Sequence, residues 1–247
     1  MDEKILELKK IIGDSLNIVF FGGAGVSTES NIPDFRSRKG IYSGEGEEGL
    51  TPEELISYPT LRRKPELFFR FYKDAVVYPD ARPNDAHKTL AEMEADGKLS
   101  CVVTQNIDGL HQAAGSKNVA ELHGSNAHHY CQKCKKSYVL DYILDTDNCD
   151  GVIPKCPCSG IVRPKVVLFG ERLDENVINH AINAIRSADC IIVGGTSLAV
   201  YPAAGLLSYM SHDCKLVVIN RDATPVDDEA DLVIQDSIGE VLRLAYT

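Results

Sequence analysis

The chain carries eight cysteines, and four of them come in two close pairs. Cys131 and Cys134 make a C-x2-C, which sets two thiolates on one tight turn at the spacing of a tetrahedral zinc site. The second pair, Cys156-Pro-Cys158, is a C-x-C tighter than the usual knuckle, and Cys149 stands near enough in sequence to substitute for one of its members. Two thiol pairs so arranged point to one zinc ion rather than to free or redox-active thiols. Four thiolates leave no position for water, so this metal would hold structure and do no chemistry.

The other reactive side chains gather behind short apolar runs. In the stretch 20–36, Gly22, Gly23 and Gly25 let the backbone turn sharply and approach a ligand closely. Ser27 and Thr28 follow where a short helix can start, so that N–H groups and the positive helix end would face an anion. As a dinucleotide fingerprint the stretch is imperfect, because Thr28 replaces the third glycine of G-x-G-x-x-G and no clean acidic strand end follows. The glycines alone fit a plain strand-to-helix turn equally well. Pro33, Asp34, Phe35 and Arg36 then add a rigid bend, a carboxylate, an aromatic face and a guanidinium, a set that an ordinary turn does not need.

Gln105, Asn106 and Asp108 follow a second apolar run. His123 follows a third, where an imidazole of ordinary pKa near 6.5 is a candidate base. Gly194-Gly195-Thr196-Ser197 offers a second close approach to phosphate or ribose, and Asn220-Arg221-Asp222 offers groups suited to ribose hydroxyls. Any one of these could be a capping or connecting turn; five at five run ends are hard to explain as independent turns. His128 and His129, beside Cys131, read as surface residues of the metal module.

The elements that must position these groups are legible as β-branched runs at residues 18–21, 101–104, 119–122, 166–169, 190–193, 216–219 and 231–234. Most are almost continuously apolar, as strands covered on both faces are. Helical patterns lie between them at 85–96 behind a capping Asn84, at 174–187, and at 202–211 with proline in the first turn. Strand and helix alternate, which predicts an α/β fold with a Rossmann-like doubly wound parallel sheet and ligand at the carboxyl ends of its strands. Two stretches break the alternation. Residues 37–78 carry helical patterns at 52–57 and 65–77 after a Gly- and Glu-rich loop at 44–49, and residues 131–161 hold the clustered cysteines.

At 247 residues and 44% hydrophobic content the chain can bury a substantial core. Its net charge of −10 argues against broad binding to nucleic acid; Arg62, Arg63 and Lys64 form a local basic triplet that reads as solvated surface. No apolar run is long enough to span a membrane, and the N-terminus reads as a charged amphipathic helix, so no membrane partner and a cytoplasmic location are expected. Cys101, Cys190 and Cys214 stand singly in apolar runs and read as buried thiols.

Taken together, GAGVSTESNIPDFR, TQNIDGLH, ELHG, the two cysteine pairs, RPKVVLFGE, GGTSLAVYPAA and VVINRD resemble the sirtuins, the NAD-dependent protein deacylases, and among them the bacterial branch. The resemblance runs from Asn17 to about Ile238 with the motifs in order. It implies a Rossmann-like NAD-binding domain made of residues 1–36, 79–130 and 162–247. The small domain would combine a helical insertion, 37–78, with the zinc module, 131–161. Gly23, Ala24, Gly25, Thr28, Asp34, Phe35 and Arg36 would then line NAD, and Gln105, Ile107 and Asp108 the nicotinamide pocket. Gly195, Thr196, Ser197, Asn220 and Ile238 would hold the adenosine half. An acetyl-lysine peptide would lie as an added strand between Val167, Leu168, Phe169, Gly170 and Glu171 on one side and Val200 on the other.

In this reading His123 takes a proton from the ribose hydroxyl, Asn106 and Gln105 position ribose and water, and Asp108 with Ile107 holds the carboxamide. The products are free lysine, nicotinamide and acetyl-ADP-ribose. Asn31 stands where the family usually has glycine, which predicts a left-handed backbone there. The desuccinylating branch has a Tyr-x-x-Arg pair; the corresponding Phe69-Arg70-Phe71-Tyr72 favours acetyl or other uncharged acyl groups. The rivals are an NAD-dependent dehydrogenase, a mono-ADP-ribosyltransferase and a zinc-bearing module that binds acyl-lysine without turning it over.

Overall fold

The computed structural model describes residues 2–35, 40–41 and 46–246. Arg36 and part of the 44–49 loop lie outside the described residues. The first helix, α1 (Asp2–Asp14), buries Ile5, Leu8 and Ile12 on one stripe. β1 (Ile18–Gly22) is buried at every position, and a 3-10 turn over Ala24–Ser30 follows it directly. That turn ends at Asn31 with φ 63°, the left-handed conformation expected there.

Three short helices come next, α2 (Pro52–Leu55), α3 (Tyr58–Arg63) and α4 (Pro65–Phe71), the last running into a π turn over Tyr72–Val76. The pattern at 52–57 thus ends two residues early, at Leu55, and a helix that the sequence patterns did not include follows it. The Ser57 side chain accepts from the Thr60 N–H and Pro59 sits in the first turn, so α3 begins as a helix of its own. α5 (Asp85–Ala95) starts at Asn84 as the sequence predicts, with the Asn84 side chain accepting from Ala86 and His87 N–H groups. β2 (Leu99–Thr104), α6 (Leu110–Ala114) and β3 (Val119–Glu121) follow.

The metal region contains β4 (Gly124–Cys131), β5 (Ser137–Val139), α7 (Leu140–Leu144), β6 (Cys149–Asp150), β7 (Ile153–Pro154) and β8 (Val162–Val166). After α8 (Glu175–Ser187), capped by Asp174, the chain completes β9 (Cys190–Gly194), β10 (Lys215–Ile219), β11 (Leu232–Ile234) and α9 (Ile238–Tyr246).

Six of these strands form one parallel sheet in the order β11-β10-β9-β1-β2-β3. The chain winds outward from β1 in one direction and from β9 in the other, so the order reverses between them, where Gly22 pairs with Gly194. A crevice opens at such a switch point. Alternate residues of β1 serve the two faces: Ile18 and Phe20 join a core with Leu8, Leu90 and Leu242, while Val19 and Phe21 join another with Ala181 and Ile185.

A second, antiparallel sheet has the order β5-β4-β8. Three expectations are corrected by the structure. The run at 166–169 does not enter the parallel sheet: β8 ends at Val166 and pairs with β4, and Gly170 at φ 90° helps turn the chain beyond it. Apolar, β-branched composition marks strand character without naming the partner. His129 is not a surface residue. His128 is exposed and His129 is 2% exposed, because successive side chains of β4 point to opposite faces. Finally, 202–211 forms a 3-10 helix over Ala204–Tyr209 rather than an α-helix.

Candidate active site

The glycines after β1 and β9 are required by each other. Gly25 N donates to Gly195 O at 2.8 Å, and Gly23 N donates to Gly194 O at 3.3 Å. A Cβ on Gly25 would lie 2.7 Å from Gly195 Cα, and one on Gly195 would lie 2.3 Å from Val26 N. The two loops therefore pack backbone to backbone over the switch point. Thr28 takes the place of a third glycine because the turn closes on itself, its hydroxyl donating to Gly25 O at 2.9 Å.

Gln105 N continues the edge of the sheet by donating to Gly22 O at 3.0 Å, and its side-chain amide donates to Thr196 Oγ1 at 3.1 Å. Asn106, 8% exposed, donates through Nδ2 to Ser27 Oγ at 3.1 Å. Ser27 in turn donates to Asp108 Oδ2 at 2.6 Å, and Leu110 N donates to Oδ1 at 2.9 Å. Both carboxylate oxygens are thus held. Ile107 is fixed through its carbonyl, which accepts from Asn126 N at 2.8 Å. The sequence places Ser27 in an anion cradle; its bond to Asp108 joins residues 81 apart and has no local signature.

His123 is gripped from both sides. Its Nδ1 lies 2.9 Å from Gln105 O, and its own carbonyl accepts from Val167 N at 2.8 Å. A carbonyl can only accept, so Nδ1 carries the proton and Nε2 keeps its lone pair. Burial pushes the imidazole pKa below its ordinary value, against the opposing pull of the Gln105 carbonyl, so the ring is neutral at pH 7. Gly124 follows at φ 76°, where a Cβ would lie 2.2 Å from Lys165 O. Gly124 at positive φ thus lets the chain turn from β3 of the parallel sheet into β4 of the antiparallel one.

One cavity of about 630 Å³ gathers these groups. Every cofactor and peptide residue named from the sequence lines it except Arg36, which is not among the described residues. Glu171 lines it as well, although its carboxylate is committed elsewhere, to Arg163 at 2.6 and 2.8 Å and to Leu168 N at 3.0 Å. The structure adds wall residues that sequence reasoning missed, among them Ile32, Tyr72, Val76, Asn126 and Leu140. Tyr72 donates to Asn126 Oδ1 at 2.6 Å, tying the π turn to the residue that holds Ile107. A tyrosine within an apolar helical pattern looks like core, and this one is both.

The four paired cysteines bring their Sγ atoms within 4.8 Å of one another, with Cys131 to Cys158 and Cys134 to Cys156 each at 3.5 Å. Zinc bound tetrahedrally at about 2.3 Å sets sulfurs roughly 3.75 Å apart, so the cluster fits the ion. Cys149 is not in it; its thiol faces the carbonyls of Ile143 and Asp145. Gly160 makes room for the cluster, since a Cβ there would lie 2.5 Å from Cys131 Sγ. Tyr138 donates to Cys156 Sγ at 2.9 Å and orients that ligand from outside.

Residues 23–202 match the family described as Sir2. An NAD-dependent protein deacetylase of Clostridium perfringens (strain 13 / Type A) is 56% identical over 243 residues, covering 98% of each chain. A solved Sir2 structure holding a deacetylated p53 peptide and 3'-O-acetyl ADP ribose is 38% identical, with a TM-score of 0.87 over 96% of this chain and 95% of that one. Another, Sir2 with a p53 peptide and NAD+, is 37% identical with a TM-score of 0.84 at the same coverage. By sequence and by fold, this chain belongs to the Sir2 family.

Proposed function

We propose that the protein removes acetyl or similar uncharged acyl groups from lysine side chains, consuming NAD and releasing nicotinamide, O-acetyl-ADP-ribose and free lysine. The observation that carries this reading is His123, a neutral imidazole with Nε2 available, in the same cavity as the tethered Asp108 carboxylate. Bound NAD supplies an electrophilic ribose carbon with nicotinamide as its leaving group.

The protein's part is to hold, exclude water and move one proton. Asp108, kept in place by Ser27, holds the carboxamide together with Ile107, and Phe35 covers the ring so that water cannot compete. Asn106 and Gln105 position ribose and water. His123 Nε2 takes the proton of the ribose hydroxyl. Gly23, Ala24, Gly25, Thr28, Asp34 and Arg36 line NAD, and Gly195, Thr196, Ser197, Asn220 and Ile238 hold its adenosine half. Residues 167–171 and Val200 flank the peptide. The zinc site keeps β4 and β8 in register beneath it.

The preference for uncharged acyl groups is supported by Arg70, which ion-pairs with Glu47 and does not line the cavity. We further propose the division into an NAD-binding domain (1–36, 79–130 and 162–247) and a small domain (37–78 with 131–161). The proposed location is the cytoplasm. It suits a protein whose Cys101, Cys190 and Cys214 are buried free thiols; no helix among the described residues is long and apolar enough to cross a membrane.

Mass spectrometry of an acetyl-lysine peptide incubated with and without NAD tests the reading. A loss of acetyl that requires NAD, with nicotinamide and acetyl-ADP-ribose in equal amounts, is expected. Acetate release without NAD consumption, or a peptide gaining the mass of ADP-ribose, would overturn it.

A further inference from the structure

A second cavity, of about 480 Å³, lies between α3 and the turn carrying Cys131 and Cys134. Tyr58, Arg62, Tyr130, Gln132, Lys135 and Arg163 contribute to its walls. In a chain of net charge −10 this is an unusual collection of cations. Arg163 is committed within the protein: it ion-pairs with Glu171, donating to both its oxygens, and donates to the carbonyls of Pro164 and Val166. Arg62 and Lys135 are different. Both are exposed, and neither forms an ion pair with a described residue.

Each instead lies over a tyrosine. Arg62 Cζ is 6.0 Å from the Tyr58 ring centroid, and Lys135 Nζ is 5.7 Å from that of Tyr130. A ring face positions a cation without neutralising it, so both remain available to an anion. Of the neighbouring cations, Lys64 pairs with Glu48 and Lys133 donates to the Cys158 carbonyl.

The pocket also abuts the proposed peptide groove. Glu171 lines both cavities, and Tyr58 N donates to Phe169 O at 3.0 Å, joining the pocket wall to the segment at 167–171. We propose that this pocket is an exosite that takes an acidic side chain of the acylated protein, lying just beyond the acyl-lysine segment in the groove. The inference rests on the peptide-binding reading above. Continuity with the groove favours a carboxylate delivered on the same polypeptide over a free anion, because the groove already holds it nearby. Two solvent-facing cations act mainly on encounter and binding, so the preference belongs in KM rather than kcat.

The experiment compares two acetyl-lysine peptides that differ only in carrying Glu or Gln at the positions flanking the central segment, at low ionic strength. The wild-type protein is expected to favour the Glu peptide about tenfold in kcat/KM through KM, with the ratio shrinking as salt is raised. In the double variant Arg62→Gln/Lys135→Gln the ratio should fall to about one, with turnover of the Gln peptide unchanged. Arg62→Glu/Lys135→Glu should reverse the preference. Equal kcat/KM for the two peptides in wild type, or a preference surviving both double variants, overturns the exosite while leaving deacetylation intact. If neither peptide is turned over, the function reading fails instead, and fluorescence anisotropy with the same peptides still reads the Glu preference directly.

Discussion

In the six-stranded sheet, β1 and β9 are buried at every residue and carry an apolar core on each face, whereas every strand of the β5-β4-β8 sheet leaves at least one residue exposed. The smaller sheet rests on one core, which includes Cys131 and Cys156 themselves. The parallel sheet can be held by burial alone, at about 25 cal/mol per Å² of apolar surface removed from water. A small antiparallel sheet with a wet face has too little such surface and needs a cross-link, which the four thiolates supply. The catalytic cavity draws walls from both, so its integrity depends on two kinds of stabilisation that respond to different insults.

The largest way to break this contrast is to remove the metal. Structural zinc in small modules carries apparent folding free energy on the order of 10 kcal/mol, so chelation or Cys156→Ser should abolish amide-exchange protection in β4, β5 and β8 while β1 and β9 stay protected. Deacetylation should fall with it. Unchanged zinc content in Cys156→Ser would bring Cys149 into the ligand set and sink the assignment made here.

His123→Ala attacks the chemistry and neither sheet. Turnover should drop by about 10² to 10⁴ with the melting temperature unchanged. Because burial lowers the His123 pKa, the acid limb of the wild-type pH profile should have its midpoint below about 6.5. A limb centred above that value would contradict a buried neutral base.

Acid tests the parallel-sheet region through His87 and His111, whose rings meet 4.7 Å apart between α5 and α6. Burial lowers His87 to about 4 and His111 to about 3. Both folded values lie below the unfolded one near 6.5, so the unfolded chain binds the extra protons as pH falls. Stability is complete above about pH 6.5 and declines toward pH 4, by roughly 3 kcal/mol for one such group. Urea melts followed by amide exchange in β1 should show this slope in wild type and a shallower one in His111→Leu. The smallest effect is expected at Asn31, where φ is 63°: Asn31→Ala should cost about 1 kcal/mol in a urea melt and Asn31→Gly almost nothing.

Much of the positioning frame was legible in the sequence because its signals are local. Asn84 and Asp174 cap their helices through side-chain bonds to N–H groups two or three residues on, and the apolar runs of β1, β9 and β10 show their two-sided burial directly. The paired cysteines and the family motifs likewise lie in short windows. The failures share a cause. Residues 166–169 have strand composition, but only Val166 of them lies in a strand, at the end of β8, which pairs antiparallel with β4 because of what lies across from it. His129 sits beside an exposed His128 and differs from it only in which face of β4 it occupies.

The sequence by itself determined which functional groups exist, in what order they follow the strands, and that four thiolates would meet at one ion. Only the tertiary structure decided that Ser27 holds Asp108, that Gln105 O claims His123 Nδ1 and so leaves Nε2 free to accept a proton, and that Tyr72 braces Asn126. These contacts join residues 81, 18 and 54 positions apart. A hydrogen bond of that span depends on where two independently folded elements come to rest, which packing of the whole core settles and no local window of residues records.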